Sequence, residues 1–392
     1  MSASLRVLAL EPYFGGSHRA FLDAWRFRSV HHFTLETLPA HHWTWRMRHS
    51  AVTFAESAAR LLQAGERFDV VFASDMLDVA TWRGLVPRAM RETPLVLYMH
   101  ENQLTYPVNE QSATEASRAR DMHFAFTNFT SMLAAEHVWF NSAYHRDEFF
   151  EAMRDLLKRM PGYAPLEALK TLRAKVAVHS PGVDDAYFYR PRNKARTPGP
   201  LRLVWAARWE HDKGPEVLFA ALELLLQRGV DFRVRVLGEQ FARRPAVFDE
   251  ARRRLAAVIE RWGYAESREA YAAALHESDV FVSTAHHEFF GIAVLEALAA
   301  GACIAAPRAL AYPETLGPVV KCAPSLVRWH ANTPESVADV LTAFAQDHAA
   351  ASSPPVAERR AAQAKVVDRY GYTAHVPRLD AALSTCASAS SA

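Results

Sequence analysis

The sequence predicts an α/β protein of two domains, each built on an open parallel sheet with helices between its strands. Three observations predict this. The chain has 392 residues, more than the roughly 100–150 of one ordinary core. Short apolar runs of strand length alternate with longer amphipathic stretches on both sides of position 200, as repeated strand–helix units require. Polar clusters follow several of the runs directly, at the strand ends where open parallel sheets take their ligands.

In order, Leu5 to Leu10 reads as the first buried strand, and Arg19 to Trp25 as a helix. Gly15 and Gly16 lie between them. Two glycines there let a ligand approach the backbone, and a helix start holds negative charge. A plain turn would use the same residues, and the dinucleotide fingerprint spacing is absent. His31 to Leu38 is the next expected strand. The stretch from His41 to His49 then holds Trp43, Trp45, Arg46 and Arg48. Aromatic faces stack on bases and arginines pair with phosphates, but such a block also suits a packed domain edge.

Ser50 to Ala64 has helical periodicity, and Phe68 to Ala73 reads as a strand. The strand Pro94 to Met99 runs into His100, Glu101, Asn102 and Gln103, a polar cluster at a strand end. His100 there can orient a hydroxyl or move a proton. A helix from Arg120 to Ala134, a strand from His137, a helix from His145 to Met160 and a strand from Lys175 to Val178 complete an N-terminal domain over 1–190. A linker is expected at 191–200, where Pro, Gly and charge concentrate.

The C-terminal domain is expected over 201–365. Its first strand, Leu201 to Ala206, leads to a loop with Arg208 and Lys213, then a helix to Gln227. Two cations five residues apart in a strand–loop–helix unit can meet one diphosphate, with the helix dipole in support. Phe232 to Leu237 reads as a strand, Val247 to Arg261 and Ser267 to His276 as helices, and Asp279 to Ser283 as a strand. After it comes His286-His287-Glu288-Phe289-Phe290-Gly291, then an apolar segment carrying Glu296. Two carboxylates eight residues apart flank a turn and a helix. Ala302 to Pro307 is the next strand, and a loop is expected around Leu310 to Glu314. Glu335 to Gln346 and Glu358 to Tyr370 read as helices. A terminal helix at 366–383 is expected to return to the first domain, with a disordered tail at 384–392.

Composition narrows the classes. Hydrophobic residues make up 50% and charged residues 22%, the profile of a globular protein in water. A net charge of +2 gives only weak support to a polyanionic partner. Three cysteines without a C-x-x-C pair indicate neither a disulfide framework nor a zinc site. No apolar run is long enough for a membrane span, and no apolar signal segment opens the chain. A cytoplasmic protein is expected.

Glu288 to Glu296 fits the E-x7-E motif of retaining GT-B glycosyltransferases of family 4, and the whole plan resembles that family. The resemblance implies two facing Rossmann-like domains with an interdomain cleft. It also implies that Glu288 and the backbone of Phe289, Phe290 and Gly291 line the donor sugar. Glu296 would hold the ribose, and Arg208 with Lys213 the diphosphate, with Gly15 and Gly16 also on the donor side. A narrower likeness rests on Tyr13-Phe14-Gly15-Gly16-Ser17-His18, Trp43 to Arg48, His100 to Pro107, Arg208-Trp209-Glu210 and His286 to Gly291. These blocks resemble the tRNA-queuosine α-mannosyltransferase family. That implies transfer of mannose from GDP-mannose to the cyclopentenediol of queuosine at the wobble position of tRNA-Asp. His18, Trp43, Trp45, Arg46, Arg48, Glu101, Asn102 and Gln103 would then serve the acceptor. His100, Arg208, Lys213 and Glu288 would serve the chemistry.

No cofactor and no metal are expected, because two cations can offset the leaving diphosphate's charge. Two other classes stay open: sugar transfer to a lipid, glycan or small metabolite, and a non-catalytic sugar-nucleotide or RNA-binding protein.

Overall fold

A computed structural model describes residues 4–107, 115–190, 199–239, 245–350 and 354–389. The chain forms two compact units, 1–181 with 372–392, and 182–371.

The first unit holds six parallel strands: β1 (Arg6–Phe14), β2 (His32–Pro39), β3 (Val70–Ser74), β4 (Leu95–Met99), β5 (His137–Phe140) and β6 (Val176–Val178). Their order is β2-β1-β3-β4-β5-β6. Both faces of this sheet are covered, which is why its strands read as unbroken apolar runs. Leu8, Leu10, Val71 and Leu97 point into one core. Val7, Ala9, Phe72 and Tyr98 point into the other, which the helix Tyr372–Ala389 closes with Val376, Leu379 and Leu383. Asp380 pins that helix, accepting from Trp25 Nε1 at 2.7 Å and from the amide of Val30 at 3.0 Å.

The second unit holds β7 (Leu201–Ala206), β8 (Phe232–Leu237), β9 (Ile259–Gly263), β10 (Val280–Val282), β11 (Cys303–Pro307) and β12 (Val327–His330). The order is β12-β11-β10-β7-β8-β9, again all parallel. In both sheets the order reverses beside the first strand: at β1/β3 in the first unit and at β7/β10 in the second. Loops leaving such neighbours diverge, which opens a crevice at the strand ends.

Several expectations need correction. The helix expected from Ser50 to Ala64 starts earlier, so that the Trp43–Arg48 block forms the first turns of a helix running from Trp43 to Gln63. Helical spacing buries Met47, Ala51 and Phe54 in it. The helix expected over Val247 to Arg261 stops at Arg254, and Ile259–Gly263 is an edge strand. Its Glu260 pairs with buried Arg235 at 2.8 Å, and that charge pair hid the strand pattern. The loop expected at Leu310 to Glu314 opens a helix, Tyr312–Cys322, with Pro313 in its first turn, where a missing N–H costs nothing.

The terminal helix runs to Ala389, so the tail from Ser384 is helical that far, with Cys386 turned inward. The units divide at 181/182 and again at 371/372, earlier than residue 190. The reason is that Val183 pairs with Gly371 and Phe188 lies in the second core. Residues 191–198 of the expected linker lie outside the described residues. Cys303, Cys322 and Cys386 are free thiols. Among the described residues no helix is long and apolar enough to cross a membrane.

Candidate active site

In the second unit the loops after β7 and β10 are tied together at the sheet's reversal point. The Asp212 carbonyl accepts from the amides of His286 at 2.8 Å and His287 at 3.3 Å. Thr284 donates its hydroxyl to the Lys213 carbonyl at 2.9 Å. Lys213 Nζ, largely buried, donates to the His287 carbonyl at 2.9 Å. It also lies 3.0 Å from Asp212 and 3.5 Å from Glu288. Burial works against its charge, but Glu288 and Asp212 outweigh burial and hold the ammonium above its ordinary range. Burial likewise opposes ionisation of Glu288. Lys213 and the amides of Phe290 and Gly291 overcome it and keep the carboxylate below its ordinary range. A cation and an anion thus stand charged side by side at the strand ends.

Two glycines make this possible. Gly214 (φ 62°) ends the loop, and a Cβ there would stand 2.1 Å from the Thr284 carbonyl oxygen. Gly291 (φ 84°) caps the helix Ile292–Ala299, and its Cβ would stand 2.7 Å from the Tyr312 ring. The helices after these loops, Pro215–Gln227 and Ile292–Ala299, therefore start at the crevice, and the first N–H groups of a helix have no partner within it. Arg208 is half-exposed and pairs with Glu210 at 3.3 Å. Phe289 and Phe290 are buried.

Glu296 lies one helical stretch further. Tyr271 donates to it at 3.0 Å. Burial pushes its carboxyl up to about 7, against the pull of Tyr271 and Arg268. Arg268 also reaches Asp184 at 3.3 Å. Neither Tyr271 nor Arg268 stands out in the sequence. Both belong to an ordinary-looking amphipathic helix, and only the fold brings them to Glu296.

The first unit has its own cluster at β1/β3. Glu11, fully buried inside β1, accepts from the Tyr13 amide at 2.8 Å and from Ser74 at 2.9 Å. Its other oxygen lies 3.1 Å from His18 Nδ1. The His18 ring stacks on His100, with centroids 3.9 Å apart and planes 26° apart. Burial opposes charge on His18. Glu11 above all, then Asp75 and Glu101, overcome it and push its pKa up to about 9. Burial, with the neighbouring His18 and His145, holds His100 well below the ordinary range and so neutral. Burial also raises Asp75 to about 8; it accepts from the His100 amide at 2.9 Å.

Glu11, His18 and His100 each bring a ligand-type atom within 4.8 Å of the others. Nearly parallel rings, however, send their in-plane lone pairs side by side and not toward one ion, and both Glu11 oxygens already accept hydrogen bonds. The cluster is a hydrogen-bonded network. Glu11 carried a signal that sequence reading passed over: a carboxylate closing an apolar run is seldom buried without a partner.

Two of the expected acceptor residues are buried. His18 is buried and held by Glu11, so it does not line an open surface. Asn102 is fully buried, and its carbonyl caps the amides of Leu104 and Thr105 at 3.0 and 2.9 Å. It shapes the loop and has no carbonyl left for a ligand. Gln103 donates to Glu101 at 3.1 Å. Gly15 precedes the helix Gly16–Arg28 and packs on Ala40, 2.4 Å from where its Cβ would be. Gly16 takes φ 49°. Trp43 is half-buried against Phe124, with centroids 5.4 Å apart, whereas Trp45 is 61% exposed. Arg46 meets His49 and His41 at 2.9 and 3.1 Å. Arg48 lies over Phe124, 5.1 Å from the ring centroid.

Two parallel-sheet units, each reversing beside its first strand, are the plan of the GT-B fold, and solved structures agree on that fold. Sucrose-phosphate synthase from Thermosynechococcus elongatus superposes with a TM-score of 0.70 at 14% identity, over 98% of this chain and all (100%) of that one. Anabaena HepE, solved with UDP, gives 0.65 at 15%, over 97% and 100%. Its family matches and a relative along most of its length make the protein a nucleotide-sugar-dependent glycosyltransferase.

Residues 6–183 match the family described as tRNA-queuosine alpha-mannosyltransferase N-terminal, and 200–347 match Glycosyl transferases group 1. The Drosophila melanogaster tRNA-queuosine alpha-mannosyltransferase is 35% identical over 325 residues, covering 80% of this chain and 82% of that protein. The chain belongs to the tRNA-queuosine α-mannosyltransferase family.

Proposed function

We propose that this protein transfers mannose from GDP-mannose, with retention at the anomeric carbon, to the cyclopentenediol of queuosine at the tRNA wobble position, tRNA-Asp being the substrate. The observation that carries the acceptor is the match of the queuosine family's own N-terminal domain across the whole first sheet, β1 to β6. The mannosyl donor follows the name of the full-span relative.

In the second unit the leaving diphosphate is met by Lys213, Arg208 and two helix starts. Glu288 takes the sugar hydroxyls and Glu296 the ribose. The bond from C1 to the diphosphate oxygen breaks as the acceptor oxygen bonds C1 on the same face. The acceptor's proton passes to the departing phosphate. Preorganised positive groups at that oxygen are worth several kcal/mol in a dry site. Mass spectrometry of wobble nucleosides tests the whole reading. Tested against a panel of nucleotide sugars, queuosine tRNA should gain one hexose with GDP-mannose. A gain on some other hydroxyl compound and none on tRNA would overturn the acceptor.

Two further outcomes are expected. Exposed Trp45 beside Arg46 offers a stacking face and a phosphate partner. Replacing both with alanine should cost about 1–3 kcal/mol of tRNA affinity and flatten its salt dependence. Affinity for GDP should stay unchanged; an equal loss for both ligands would remove the RNA role.

Glu296 sets a pH dependence. Its acid form is favoured below about pH 7, whereas ribose hydroxyls donate best to the ionised form. Guanosine, which carries no titrating phosphate, should therefore bind about tenfold tighter at pH 8 than at pH 6 by calorimetry. Glu296→Gln should abolish that slope. A flat wild-type profile would reject the ribose role.

A further inference from the structure

The His100 Nε2 atom is buried and has no hydrogen-bond partner among the described residues. A buried polar atom left this way is costly, and here the surroundings hold it in place. The His100 amide donates to Asp75 and its carbonyl accepts from Asn141 at 2.8 Å. Its ring is boxed by Phe21 edge-on at 5.5 Å, Tyr98 at 4.6 Å and the stacked His18 at 3.9 Å. Behind His18 stands Glu11. It joins three elements through one carboxylate: the end of β1, Ser74 at the end of β3, and His18 in the first turn of the following helix. His100 directly follows a fourth element, β4.

We propose that Glu11 and His18 are a positioning pair: Glu11 holds His18 flat against His100, and that stack fixes the His100 ring so that its unpartnered Nε2 is kept for a ligand hydroxyl. A neutral imidazole suits a hydroxyl because it offers one donor and one acceptor nitrogen. The ligand class rests on the glycosyltransferase reading; the pair itself does not. Burial first of all keeps His100 neutral, and a cationic ring beside it adds to this by disfavouring a second proton. The titratable groups facing the two rings are Glu11 and Tyr13 from β1, Asp75 after β3, Tyr98 from β4, Glu101 after β4 and His145 from the helix Ala143–Arg159; burial raises Tyr98 well above its ordinary range, so it stays neutral. Asp75 and His18 carry protons at neutral pH. Asp75 releases its proton through about pH 8 and His18 through about pH 9. Loss of turnover on the alkaline side should follow His18, and removing the Glu11 charge should bring it to lower pH.

The test is nitrogen NMR of histidine-labelled full-length protein, beside kinetics. At about pH 7.5 the wild type should show an imidazolium at His18 and a neutral ring at His100, assigned with the variants His18→Gln and His100→Gln. In Glu11→Gln the His18 proton affinity should fall by at least about tenfold, one pH unit, and the His100 resonances should move with it. That variant should lose about tenfold or more in kcat while KM for the nucleotide sugar changes less than about threefold. Glu11→Asp should recover part of the loss.

If Glu11→Gln does not fold, His18→Gln leaves Glu11 with Ser74 and the Tyr13 amide, and should show the same kcat loss and a lost alkaline limb. A neutral His18 in the wild type at about pH 7.5 overturns the pair, as does His100 indifferent to either substitution. The NMR needs no substrate. A protein that shows the shifts but leaves queuosine tRNA unmodified therefore loses the proposed function and keeps the pair, and the converse result separates them the other way.

Discussion

Lys213→Ala is expected to lower turnover about a hundred- to a thousandfold, the usual cost of removing one preorganised charge from a developing oxyanion. Three contacts hold its ammonium. The ammonium donates to the His287 carbonyl and lies within 3.5 Å of both Asp212 and Glu288. Alanine removes the attraction for a diphosphate and also leaves two partly buried carboxylates facing it, so repulsion adds to the loss. The same uncompensated charge should reduce stability by about 3–5 kcal/mol. The fold must therefore be followed separately by circular dichroism. Lys213→Met keeps the stem and its packing and should lose turnover nearly as far with a smaller drop in melting temperature. A folded variant with near-wild-type single-turnover rates would remove Lys213 from the leaving-group site. Loss of turnover with unchanged GDP affinity would mean that its charge acts mainly in the transition state.

How much of this could be read from the sequence depends on how far apart the partners lie. Glu288 and Glu296 share one strand–turn–helix unit, so their spacing carried the motif by itself. Arg208 and Lys213 likewise sit in one loop. The contact between Lys213 and Glu288 joins residues 75 apart (288 minus 213), and only the adjacency of β7 and β10 produces it. Glu11 shows the same limit more sharply: its partners Ser74 and His18, and through His18 the ring of His100, come from separate strands and loops. Asn102 erred in the other direction. An asparagine in a polar strand-end cluster looks like a ligand, yet asparagine is also the residue that best folds a loop onto its own amides. The strands β9 and β12 escaped because edge strands carry charge, which erases the apolar run. Their neighbours β7, β8, β10 and β11 are buried on both faces and were legible as strands.

Gly214→Ala is expected to cost the second unit about 2–4 kcal/mol. Two terms add. The residue sits at φ 62°, ψ 45°, a conformation that costs a non-glycine residue about 1–2 kcal/mol. Its new Cβ would also meet the Thr284 carbonyl oxygen at 2.1 Å and its carbon at 3.0 Å. That neighbour is backbone and cannot rotate away. Thr284 is itself held by Trp205 Nε1 at 3.1 Å and by its bond to the Lys213 carbonyl, so relief must come from spreading the two loops. For a unit of this size the melting temperature should fall by about 5–15 °C. Spreading the loops would carry Lys213 away from the His287 carbonyl and Glu288, so GDP affinity should fall in the variant even where it remains folded. Gly229→Ala is the control: it shares a positive φ of 69° but meets nothing within 4 Å, and should lose only the conformational part. If the two alanine variants melt together and bind GDP alike, the close approach of the loops at Gly214 does not hold this site together.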